Sequence, residues 1–187
     1  MVEPTRVRKI AVVGSRAVGK STMIVRFVEE HFVESYYPTI ENQFSKTIKI
    51  RGQEYNVEIL DTAGQDEYSI INQKHLIGVD GFMLCYSVTN RSTLDMIQII
   101  YDKILNLSGA DKVPAVVVGN KCDLELQRQV SEDEGRALAK ELDCGFTETS
   151  ARLNEHIERA FELLISAIEK QNNPGSTGTD EKGCLIV

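Results

Sequence analysis

No stretch of this chain approaches the roughly 18 consecutive apolar residues that a membrane-crossing helix needs, so no such span is expected. Basic charge is also scarce. Lys and Arg number 21 against 28 Asp and Glu, for a net charge of -7. A general nucleic-acid binder needs a basic face, and that class is excluded, so no nucleic-acid partner is expected. The opening Met1-Val2-Glu3-Pro4 has no secretory leader, and Val2 stands where N-myristoylation needs glycine. The four cysteines show neither metal-site nor disulfide spacing. Cys85, Cys122 and Cys144 read as reduced, structural thiols of a cytosolic protein. No internal repeat is visible.

The 187 residues, 42% of them hydrophobic, suffice for one compact domain with one core. Apolar runs alternate with helical patterns, which predicts a doubly wound α/β domain. Strands are expected at 9–13, 43–50, 53–60, 81–87, 115–119 and 145–147, and helices at 20–30, 92–106, 131–142 and 154–170. Arg51-Gly52 reads as a hairpin turn, giving one antiparallel edge strand in an otherwise parallel sheet of six, with helices on both faces. Ser131 with Glu134 forms a capping box. Ile157, Phe161, Leu164 and Ile168 make a core stripe on the last helix.

Gly14-Ser15-Arg16-Ala17-Val18-Gly19-Lys20-Ser21 matches G-x-x-x-x-G-K-[ST] between an apolar strand and a helical pattern. Such a loop aims successive backbone N–H groups at phosphate oxygens, and the helix behind it adds its positive end. The candidate phosphate cradle is Arg16, Ala17, Val18, Gly19, Lys20, Ser21 and Thr22. Lys20 is expected to reach the β- and γ-phosphates and the Ser21 hydroxyl to ligate Mg²⁺. Asn120-Lys121-Cys122-Asp123 follows another strand. A carboxylate at Asp123 can accept from guanine's ring N–H and exocyclic amine, a donor pair adenine lacks, so the bound ligand is read as GTP or GDP. Asp61, at a strand end, is the expected opposite support for Mg²⁺. In Asp61-Thr62-Ala63-Gly64-Gln65, Gly64 lets its N–H approach a γ-phosphate and Gln65 can orient an attacking water. All these motifs follow strands, so they gather at the carboxyl edge of the sheet.

The order of these motifs over residues 8–171, with Thr149-Ser150-Ala151-Arg152 before the last helix, resembles the Ras superfamily of small GTPases. Arg16, the segment Phe32 to Asn42 and the run Asp61 to Ile70 narrow the resemblance to the Rheb subfamily. Two positions depart from the pattern: Tyr37 stands where animal members carry Asp, and Arg152 replaces the usual lysine. The resemblance implies that Ser150, Ala151 and Arg152 flank the base, with the Ala151 N–H on the guanine carbonyl. It implies Phe32 beside the base, Val33 and Tyr36 along the ribose and phosphates, and Thr39 on Mg²⁺ and the γ-phosphate. Gln65, Thr39, Arg16 and Tyr36 then form the catalytic set, and residues 36–44 the effector surface. It further implies a monomeric switch that activates the TOR kinase complex and is turned off by a tuberin-type GTPase-activating protein.

Arg16 projects towards the γ-phosphate side, where it would compete with the Gln65 amide, so slow hydrolysis is expected. A GTP-holding module with negligible turnover is the alternative. A small-molecule P-loop kinase is disfavoured by N-K-x-D and by the lack of an Arg-rich lid. Residues 1–171 are expected to form the GTPase domain and 172–187 a flexible tether ending in Cys184-Leu185-Ile186-Val187, a prenylation box. Val187 leaves farnesyl and geranylgeranyl open, the resemblance favouring farnesyl. With no polybasic run and no second cysteine beside Cys184, one lipid gives loose, reversible anchoring. The expected location is the cytosolic face of endomembranes, with a cytoplasmic fraction.

Overall fold

A computed structural model describes residues 4–32, 39–66 and 77–173. Among the described residues, six strands and four α-helices follow one another: β1 (Arg6–Gly14), α1 (Lys20–Glu29), β2 (Glu41–Ile50), β3 (Gln53–Thr62), β4 (Gly81–Ser87), α2 (Arg91–Ser108), β5 (Ala115–Asn120), α3 (Glu132–Glu141), β6 (Gly145–Thr149) and α4 (Ile157–Asn172). The sheet order is β2-β3-β1-β4-β5-β6. Only the β2–β3 pair is antiparallel, closed by the expected turn at Arg51-Gly52, and it places β2 at the edge.

The side-chain pattern explains the two-layered core. In β1, Ile10 and Val12 point into one cluster, and Ala11 and Val13 into the other. Successive side chains on a strand face opposite ways, so both faces need a helical cover. On one face α1 and α4 supply it through Met23, Ile24 and Phe27 and through Phe161, Leu164 and Ile168. The Phe27 and Phe161 rings stack with centroids 3.8 Å apart. On the other face lie α2, with Leu94, Ile97, Ile100 and Ile104, and α3, with Ala139. The predicted stripe on the last helix is wholly buried, and the capping box at Ser131 and Glu134 is formed in both directions. Among the described residues, no helix is long and apolar enough to cross a membrane.

Tyr86 is an exception to good pairing inside this core. Its side chain is fully buried, yet its hydroxyl has no hydrogen-bond partner. It sits so tightly between β5 and α3 that a Cβ at Gly119 or Gly135 would stand 2.6 or 2.1 Å from it. Burial, then the nearby Glu148, pushes the phenol's pKa well up, so the hydroxyl stays neutral. A buried polar group without a partner costs about 1–3 kcal/mol. Tyr86→Phe is therefore expected to stabilise the fold by about 1 kcal/mol, a rise of roughly 2–4 °C in melting temperature. Thermal unfolding followed by circular dichroism checks this; a lower melting temperature would show that the hydroxyl has a hydrogen-bonding role.

Candidate functional site

The carboxyl ends of β1, β3, β5 and β6 open into a cleft of 410 Å³, a size typical of small-ligand sites. It lies where the strand order turns from β1 towards β3 on one side and β4 on the other, the usual ligand position in such sheets. On the phosphate side, Arg16, Ala17, Gly19, Lys20, Ser21 and Thr22 line it. Val18 is buried beneath the loop. Gly19 takes a left-handed backbone (φ 97°) as the N-cap of α1, and a Cβ there would stand 2.4 Å from Asn120 Nδ2.

Lys20 is buried, and its Nζ donates to the carbonyls of Gly14 at 3.0 Å and Ser15 at 2.9 Å. Burial pushes its pKa down, while Cys85 and Asp61 resist that shift. The ammonium is thus folded under the loop that would cradle phosphate.

Three oxygen donors fit a magnesium ion. Ser21 Oγ and Thr39 Oγ1 are 2.8 Å apart. Two neighbouring oxygens on an octahedral Mg²⁺ with bonds near 2.0–2.1 Å stand about 2.9 Å apart. Asp61 is fully buried, and neither carboxylate oxygen makes a well-formed hydrogen bond, although the Ser21 hydroxyl lies close by. Burial raises its pKa, and Ser21, then Lys20, pull it back. An orphaned, buried carboxylate beside that hydroxyl pair is the environment a cation would relieve. Among the described residues no cluster of three His, Cys, Asp or Glu could hold a metal unaided, so phosphate oxygens or water would complete the shell.

The γ-phosphate side departs from a simple arrangement of water-positioning groups. Gly64 lines the cleft, and a Cβ on it would lie 2.2 Å from Arg16 Cγ, so only glycine lets the arginine pass. The Arg16 side chain is 75% exposed and directed at Asp66, with 3.9 Å between Nη2 and Oδ2. Gln65 is not among the described lining residues. Its N–H donates to the Gly14 carbonyl at 3.0 Å, and its side-chain oxygen is buried without a partner.

The base side is built by the quartet after β5. Asn120 Nδ2 donates to the carbonyls of Val18 at 3.0 Å and Gly19 at 3.2 Å, and Lys121 Nζ to that of Ala17 at 2.7 Å. Both side-chain ends are thus engaged on the phosphate loop. Asp123 and the stem of Lys121 are left to face the cleft, with Phe32, Ala151 and Arg152. Burial lowers the Lys121 pKa and Asp123 opposes it. Ser150 is buried and does not line the cleft; its Oγ accepts the Leu153 N–H at 3.0 Å and shapes the turn that presents Ala151.

Sequence reasoning missed Thr62 and Leu124, which also line the cleft. Leu124 was findable, being the apolar residue directly after the quartet. Thr62 was not, because its hydroxyl is committed to the Val12 carbonyl on the neighbouring strand at 2.8 Å. The three described cysteines are free, and burial leads the rise that takes Cys85 and Cys122 up to about 12 and Cys144 up to about 11, so all are neutral thiols. Val33, Tyr36, Tyr37 and Cys184 lie outside the described residues, as do the last four residues of the Asp61 to Ile70 run, 67–70.

Known proteins resemble this chain over nearly its full length. The Ras family profile matches residues 9–170. The GTP-binding protein rhb1 of Schizosaccharomyces pombe is 61% identical over 184 residues, 98% of this chain and 99% of its own length. The GTP-binding protein Rheb homolog of Dictyostelium discoideum is 49% identical over 187 residues, covering 98% and 99%. Human GTP-binding protein Rheb is 44% identical over 180 residues, covering 96% and 97%.

Proposed function

Because the chain belongs to the Ras family, and to its Rheb branch, we propose that it is a switch that binds GTP and GDP with Mg²⁺ and hydrolyses GTP slowly. The observation that carries the reading is the division of labour in the quartet: Asn120 and Lys121 hold the phosphate loop, while Asp123 is free to face a base. In this proposal Asp123 accepts from guanine's two donors and the Ala151 N–H meets its carbonyl. Lys20 and the α1 N-terminus bind phosphate, and Ser21, Thr39 and Asp61 would hold Mg²⁺. Bound there, the ion would supply neutralisation of the phosphate charge.

Slow turnover is supported by Gln65, whose side-chain oxygen is buried away from the lining, and by Arg16 crossing Gly64. Activation of the TOR kinase complex through residues 36–44, a tuberin-type activating protein and loose attachment to the cytosolic face of endomembranes through prenylated Cys184 belong to the same proposal. Their support is the resemblance of the chain to the Rheb branch. The second reading, a module that holds GTP with negligible turnover, draws on the same buried Gln65 oxygen.

Single-turnover hydrolysis of GTP-loaded protein separates the two. A rate of roughly 10⁻⁴ to 10⁻³ s⁻¹ is expected without an activator. Arg16→Gly should run faster, because it clears the approach to Gly64. If GTP stays intact over many hours in both proteins, the holding module is correct; if the variant matches a measurable wild-type rate, Arg16 is not the brake.

A further inference from the structure

Behind the base side of the cleft lies an ion pair that belongs to none of the nucleotide motifs. Arg128 follows a 3₁₀ turn at Glu125–Gln127. Its guanidinium grips Glu148 of β6 at both carboxylate oxygens, at 2.7 and 2.9 Å. It also donates to the Val130 carbonyl at 3.1 Å and reaches the Cys122 carbonyl at 3.5 Å. Cys122 precedes Asp123, and Glu148 stands two residues before Ser150 and three before Ala151. One side chain therefore spans the two loops that form the base wall.

The loops also touch directly. The Cys122 N–H donates to the Thr149 carbonyl at 3.1 Å, and Thr149 Oγ1 donates to Asn120 Oδ1 at 3.2 Å. Those two bonds, with the β5–β6 ladder that pairs Gly119 with Glu148 and Asn120 with Thr149, set the separation of the loops at their base. A bidentate guanidinium–carboxylate pair fixes orientation as well as distance. The side chains of Arg128 and Glu148 are 25% and 11% exposed, so water competes little for the contact.

We propose that Arg128, held by Glu148, is a positioning residue for base recognition: it locks the Asn120–Asp123 loop to the Ser150–Arg152 loop, so that Asp123 and the Ala151 N–H meet one purine edge in fixed register. The proposal rests on the guanine reading above. Its consequence concerns discrimination. A hydrogen-bonding site rejects a substrate lacking one donor only if its own groups cannot move to compensate.

The test compares GDP with inosine diphosphate, which keeps the ring N–H but lacks the exocyclic amine. Dissociation of each is measured from the full chain, for wild type, Arg128→Lys and the double variant Arg128→Met/Glu148→Gln, which leaves no unpaired carboxylate behind. Wild type should release inosine diphosphate much faster than GDP. In the double variant that preference should shrink by about tenfold, the worth of one good charge-assisted contact. Arg128→Lys, with charge but no fork, should fall between. A double variant with a lower melting temperature but an unchanged GDP preference makes the pair merely structural and overturns the proposal. Should the double variant not fold, an unchanged preference in Arg128→Lys overturns it equally. Wild type that retains no guanine nucleotide would instead overturn the guanine reading, and that is read before any variant is made.

Discussion

Asp123→Asn is expected to reverse base preference, with GDP losing at least about a thousandfold against xanthosine diphosphate. Asp123 faces the cleft while its neighbours Asn120 and Lys121 are tied to the phosphate loop, so no nearby side chain is free to take its place. Guanine presents two donors to this position. An amide there could still accept the ring N–H with its oxygen but would set its NH₂ against the exocyclic amine, donor opposed to donor. Xanthine carries a carbonyl where guanine has the amine, so amide and base again match. Competition of labelled GDP with unlabelled GDP and xanthosine diphosphate reads the effect. A variant that still prefers GDP would remove Asp123 from base recognition.

Gly19→Ala should release GDP about a hundredfold faster than wild type, combining overpacking, about 1–3 kcal/mol, with left-handed backbone strain, about 1–2 kcal/mol. The new methyl would lie 2.4 Å from Asn120 Nδ2. A side-chain end can often step aside, but this one is fixed by four hydrogen bonds. Its nitrogen donates to Val18 and Gly19, and its oxygen accepts from the Lys121 N–H and from Thr149 Oγ1. Displacing it uncouples the phosphate loop from the base loop, so both ends of the nucleotide loosen together. Dissociation of a fluorescent GDP measures this. If release is unchanged, the coupling through Asn120 carries no affinity.

The sheet and helices were legible because this chain's local signals agree. Continuous apolar runs mark the central strands, and the 157, 161, 164, 168 spacing marks a helix with one buried face. The misjudged ends have tertiary causes. β1 begins at Arg6 rather than at residue 9, because Arg6, Val7 and Arg8 pair with Tyr55, Asn56 and Val57, and the partner strand extends the ladder past the apolar stretch. The last helix starts at Ile157 rather than at 154. Ser150 and Glu155 exchange two backbone hydrogen bonds, and Asn154 and His156 take positive φ, so those residues are used in a turn. α4 then runs to Asn172, two residues past the expected helix end at 170.

The nucleotide motifs could be read from the sequence alone because their chemistry is local. A glycine-rich loop between strand and helix, and an acid two residues after a lysine, carry their spacing within a few positions. The sequence also determined which residues gather, since each motif follows a strand and strand ends share one edge. Only the tertiary structure decided how those residues are used: Lys20 folded onto Gly14 and Ser15, Ser21 against Thr39, Gln65 with its side-chain oxygen buried and Arg16 across Gly64. It alone disclosed Arg128 and Glu148, which lie 20 residues apart and outside every motif. Such contacts depend on where adjacent strands end and on which buried polar group lacks a partner, and neither is encoded in any short stretch of chain.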